Sequence, residues 1–169
     1  MKFSKRWLWM VLSGVNLLVI LVMQIVSTDL APYNIIQFEL AGNVRNAQML
    51  VGFWRQNEAL NSVFFLIGFD YLFLVTYGLF LWLGCKALAS AYDGMIRNAL
   101  TIVASAQSLA AGLDAIENVA LYQMASGSLS ARWPNLSYYC AVPKFLFVAA
   151  GVIAMLFGAV RWMLQSVKG

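Results

Sequence analysis

Apolar residues fill four long stretches of the chain: residues 7–26, 60–84, 99–124 and 137–160. Each supplies the roughly 20 residues that a helix needs to cross a hydrocarbon core about 30 Å thick. The last three have length to spare for tilt. Apolar positions run all round each stretch rather than along one stripe, as helices facing lipid require. The short alternating segments of a membrane β-barrel are absent. The pattern predicts an all-α polytopic membrane protein: one membrane domain, residues 1–169, built as a bundle of four transmembrane helices.

The connections are unequal. A short stretch around residues 86–98 joins the second and third segments, and residues 125–136 join the third and fourth. The first connection, residues 27–59, is far longer than a turn needs. Pro32 and Gly42 interrupt it. After Gly42, Asn43 is placed to cap a helix running to about Asn57. Val44, Ala47, Leu50, Val51 and Trp54 share one side of that helix, and Arg45, Asn46, Gln48, Arg55 and Gln56 make it polar elsewhere. This is an amphipathic helix at the outer surface. Either it lies in the headgroups or it folds over the bundle mouth as a lid.

Composition agrees with the pattern. The 169 residues are 62% hydrophobic and only 11% charged, too little charge to coat a soluble fold of this size. The net charge of +4 sits at segment ends and not on one face, which excludes a nucleic-acid surface. With the N-terminus inside, the cytoplasmic side holds Lys2, Lys5, Arg6, Lys86, Arg97, Arg161 and Lys168, and the outer side holds Arg45, Arg55 and Arg132. That asymmetry predicts a bacterial inner-membrane protein with both termini in the cytoplasm. Lys2, Lys5 and Arg6 precede the first segment as in a signal peptide. The apolar run is too long for one and no A-x-A site follows closely, so a retained helix is expected. Trp7, Trp9, Trp82 and Trp162 fall at the inner boundary, and Trp54, Trp133, Tyr138 and Tyr139 near the outer one.

There is no histidine, which removes His-ligated haem or zinc and Ser-His-Asp catalysis. Cys85 and Cys140 fall at opposite ends of the bundle, too far apart for a disulfide, and read as packed small residues. The third segment is rich in Ala, Ser and Gly, which fits a central, closely packed helix. Ala150, Ala154 and Gly158 form a small-residue stripe on the fourth. No cofactor and no metal motif is evident.

The informative residues are the polar ones inside the spans: Asp70 on the second, Asp114, Glu117 and Asn118 on the third, and Lys144 on the fourth. A charged side chain at mid-helix costs about 2.5–3.5 kcal/mol on insertion scales, so each needs a partner or water. At 1.5 Å per residue all lie roughly 10–15 Å below the outer boundary. Asp114, Glu117 and Asn118 share one side of their helix. One polar pocket is expected, floored by Tyr77 and Gln107, with Asn16 in reach. Three acids facing one lysine call for a retained proton, a bound cation, or a basic group such as Arg45 or Arg55 from the long connection. Glu39, beside Phe38, is expected near the outer boundary with an exposed carboxylate.

In the runs Phe38-Glu39-Leu40-Ala41-Gly42, Phe69-Asp70-Tyr71-Leu72-Phe73, Gly112 through Leu121 (GLDAIENVAL) and Lys144-Phe145, the chain resembles a group of small bacterial four-helix membrane proteins. The resemblance spans most of the chain and implies an architecture but no activity. The pocket type is similar to that of the sterol-isomerase and sigma-2-receptor class, where buried acids face an amphipathic ligand, although their motifs are not shared. Three functions fit. In the first, the pocket binds or transports a membrane lipid or a small amphipathic or cationic ligand. Asp70, Asp114 and Glu117 then take the positive group, and Tyr77, Asn118 and Lys144 complete the site. Phe69, Phe73, Tyr77 and Tyr122 form its apolar wall, and transport by so small a chain suggests a homodimer. In the second, the chain is an accessory or structural subunit of a membrane complex. The third, less favoured because no catalytic signature is present, is a lipid-modifying enzyme using paired carboxylates.

Overall fold

The computed structural model describes residues 2–128 and 130–166. Lys168 and the side chains of Lys2, Lys5, Arg6 and Trp162, used above for orientation, lie outside the described residues. The elements are α1 (Lys2–Ser27), a 3₁₀ turn (Thr28–Leu30), α2 (Ile35–Glu39), α3 (Val44–Gln56), α4 (Leu60–Ala89), α5 (Gly94–Ala125) and α6 (Arg132–Ser166). The described residues contain no strand. Four helices, α1, α4, α5 and α6, are long and apolar enough to cross a membrane.

These helices outrun the apolar stretches that mark them. α4 continues past Gly84 to Ala89, α5 begins at Gly94, and α6 begins at Arg132. The added turns hold good helix formers such as Lys86, Ala87 and Leu88, and nothing there breaks the backbone. Lys86 stays beside the aromatic boundary, its ammonium 4.4 Å from the Trp82 ring centre.

α5 packs along both α4 and α6, as its small residues predict, while among the long helices α1 leans chiefly on α4. Missing side chains allow the close approaches. A Cβ on Gly151 would come within 2.7 Å of the Gln107 amide nitrogen, and one on Gly158 within 2.8 Å of Leu88. The buried member of the α6 seam is therefore Gly151; Ala150 and Ala154 are only half-buried. Cys85 and Cys140 are both buried and free.

The long connection folds over one end of the bundle. Asn43 caps α3 by accepting from the Asn46 backbone N–H at 2.9 Å. Ala47, Leu50, Val51 and Trp54 of α3 then join Leu30, Phe38, Val63, Leu66, Leu121 and Met124 in one core. This resolves the choice left by the sequence: the apolar face of α3 covers the bundle mouth. Trp54 is fully buried, donates its indole N–H to the Leu30 carbonyl at 3.0 Å, and meets Phe38 edge-on at 5.2 Å. α2 is held by a reciprocal cap. The Asn34 side chain accepts from the Gln37 N–H at 2.9 Å, and the Gln37 side chain accepts from the Asn34 N–H at 3.1 Å.

Candidate functional site

Lys144, on α6 one residue after Pro143, points into the bundle and is buried. Its Nζ lies 2.9 Å from Asp114 Oδ1, 2.8 Å from Glu117 Oε2 and 3.4 Å from Glu39 Oε2. Asp114 and Glu117 are one turn apart on α5, so one ammonium reaches both. Each of these charges would be costly alone in a low-dielectric interior, and together they offset one another. Asp114 also accepts a 2.8 Å hydrogen bond from the Tyr77 hydroxyl. Glu117 is fully buried. Its contact with Lys144 is ionic and lacks hydrogen-bond geometry, so neither carboxyl oxygen has a hydrogen-bond partner among the described residues.

Glu39 corrects the sequence reading, which left it exposed. It is only 9% exposed and reaches Lys144 from the cap. Three contacts place it there. The Asn34–Gln37 cap fixes α2, Phe38 plugs in beneath Trp54, and the Ser137 hydroxyl donates to the Glu39 carbonyl at 2.8 Å. Burial pushes the Glu39 carboxyl above the usual carboxylate range, against the opposing pull of the Lys144 ammonium. The polar layer thus holds four carboxyls rather than three. Asn34-x-x-Gln37 is the signal that marks α2 in the sequence.

Asp70 stands apart from the lysine. Its Oδ2 accepts from Asn118 Nδ2 at 2.6 Å. The expected floor is different in kind. Tyr77 is not simply beneath Asp70, because its hydroxyl is committed to Asp114. Gln107 is fully buried between α5 and α6, donating to the Val103 and Phe147 carbonyls at 3.0 and 2.8 Å, so it fastens helices and is not part of the groove lining. Asn16 is in reach as expected: it lines the same groove as Asp70 and Asp114, and its amide donates to the Thr76 carbonyl at 3.1 Å, tying α1 to α4. Arg45 and Arg55 supply no counter-charge, since every salt bridge among the described residues is made by Lys144.

Tyr77→Phe removes the hydroxyl that satisfies Asp114 and leaves a buried acceptor short of a donor. The expected loss is about 2 kcal/mol of stability, read as a lower unfolding midpoint of the purified protein. An unchanged midpoint would mean that the 2.8 Å bond contributes nothing.

A groove of about 680 Å³ opens between α1 and α6, with α4 as its floor and α2 over one end. Ile20, Phe73, Phe80 and Val152 make its walls apolar, and Asp70, Asp114, Lys144 and Glu39 stand at the end beneath α2. The two other expected wall residues are elsewhere: Phe69 stacks on Phe65 at 5.2 Å, and Tyr122 packs on Phe64 at 5.6 Å. Glu117 and Asn118 sit behind the wall as partners of Lys144 and Asp70. A smaller cavity of about 260 Å³ lies between α3 and the α5–α6 turn, with Arg55 as its one charged side chain. Among the described residues, no three His, Cys, Asp or Glu side chains are placed to hold a metal ion. The chain matches no protein-family model, no curated protein and no solved structure.

Proposed function

We propose that this is an integral membrane protein that binds an amphipathic molecule, the tail lying in the groove between α1 and α6 and the polar head beneath α2. The observation that carries the reading is the groove itself. Its volume of about 680 Å³ falls in the range of small-molecule sites, and it joins an apolar channel to a buried polar end. Both features are what one molecule with a tail and a head requires. The positive-inside asymmetry puts α2 and α3 on the outer side, so the head sits in the outer half of the bilayer. α1 rests chiefly on α4, so the groove faces the lipid sideways, and a tail enters without crossing water.

The polar layer divides into two parts under this reading. Lys144 with Asp114 and Glu117 fastens α5 to α6, and with Glu39 it fastens the cap. Asp70 remains for the ligand, with Glu39 beside it on the groove wall.

Native mass spectrometry of the full chain, released from its membranes in mild detergent, tests the proposal. A stoichiometric adduct with the mass of a tailed molecule is expected. Bare protein alone, or an unselected ladder of bulk lipids, would count against it.

A further inference from the structure

We infer that the head recognised in the groove is an organic cation, an ammonium, and not an anionic phosphate or carboxylate. The inference rests on the groove being a binding site and goes on to name its chemistry.

The first observation concerns Lys144. Its ammonium is enclosed by three carboxyls at 2.8, 2.9 and 3.4 Å. Its compact charge is already faced by these acids, so an anionic head would have to compete with three carboxyls for one ammonium. The second observation is the surplus of acid. Asn118 takes Asp70 Oδ2 and Lys144 takes Glu39 Oε2. The other oxygen of Asp70 has no hydrogen bond or ion pair among the described residues, and both residues line the groove. Three carboxyls face one ammonium and Asp70 stands beside them, so an anionic head would enter a layer already rich in acid. A cationic head would instead supply the missing donors and charge.

The third observation is aromatic. Phe73 and Tyr77 line the groove beside Asp70, their ring centres 5.0 Å apart, and ring faces attract ammonium groups. An inorganic cation fits less well: the three acids that converge on one point already hold the Lys144 ammonium, and among the described residues no group of His, Cys, Asp or Glu is placed to hold a metal ion.

Discrimination falls on the head. Lipid tails are as apolar as the groove wall, so moving a tail from bilayer to groove gains little. Affinity over bulk lipid must then come from the polar end.

The test compares dodecylamine, dodecanol and dodecyl phosphate, three amphiphiles with one tail and different heads. Binding to the full chain in maltoside micelles is followed by tryptophan fluorescence. Trp9 lies 5.6 Å from Phe80 of the groove wall and serves as reporter. The amine is expected to bind about tenfold tighter than the alcohol, with the phosphate weakest. Asp70→Asn should bring the amine down to the level of the alcohol while leaving the alcohol unchanged. Glu39→Gln should act in the same direction and serves if the first variant does not fold. Phosphate binding as tightly as amine, or an amine affinity untouched in both variants, overturns the cationic head and leaves the groove reading standing. Failure of all three amphiphiles to bind overturns the groove reading as well.

Discussion

Lys144→Met should lose about 3–5 kcal/mol of stability, the cost of stranding buried carboxylates without their counter-ion. The side chain keeps its length and apolar stem, so packing is little changed and charge is the variable. Three acids from two helices then converge on a site with no ammonium: Glu39 of α2, and Asp114 and Glu117 of α5. Glu117 is fully buried and has no hydrogen bond to fall back on. α2 is held by Phe38 under Trp54 and by Ser137 as well as by Lys144, so the cap should loosen but not unfold. The triple variant D114N/E117Q/K144M removes two of the three stranded acids along with the lysine and should recover more than half of the loss. Thermal unfolding of the purified variants in detergent measures both. A wild-type midpoint for K144M would show that the cluster fastens nothing, and failure of the triple variant to recover would show that charge is not the cause.

The second large effect is expected from filling the groove. Val152 lines it on α6 and is 42% exposed, so a larger side chain there meets open space. Val152→Trp should change stability by no more than about 0.5 kcal/mol. It should nevertheless weaken dodecylamine binding at least tenfold, about 1.4 kcal/mol or more. The loss exceeds the value of the tail contacts, because a tail that cannot enter also keeps the head from Asp70. Ile20→Trp closes the same channel from α1 and should behave alike. Leu146→Trp, on the exposed surface of α6 outside the groove lining, is the control. Fluorescence titration with dodecylamine compares the three. Wild-type binding in V152W would place the ligand somewhere other than this groove.

Much of this structure is legible in the sequence, and the limits have physical causes. Four long helices are readable because all-round apolar character needs no partner to be recognised. Their ends are not, since Lys86, Arg97 and Arg132 read as loop by polarity while the backbone stays helical until Ser90, Asp93 or Ala131. Depth counting brings Asp114, Glu117 and Lys144 together correctly, because rise per residue is fixed. It groups Asp70 with them but does not name its partner, Asn118. Glu39 escapes because α2 is five residues long and too short to show a period. Only its capping box betrays it. The groove is the least legible feature. Every face of these helices is apolar, so the sequence does not reveal that α1 stands off from α6, nor that Phe69 and Tyr122 point away from the space between them.

Whether the groove is a ligand site with its polar end beneath α2 can be seen in an electron cryomicroscopy structure of the full chain in lipid nanodiscs. An elongated density is expected between α1 and α6, ending within hydrogen-bond distance of Asp70 and Glu39, with the Lys144 cluster intact behind it. A bundle in which α1 packs against α6, leaving no space beside Asp70, would contradict it.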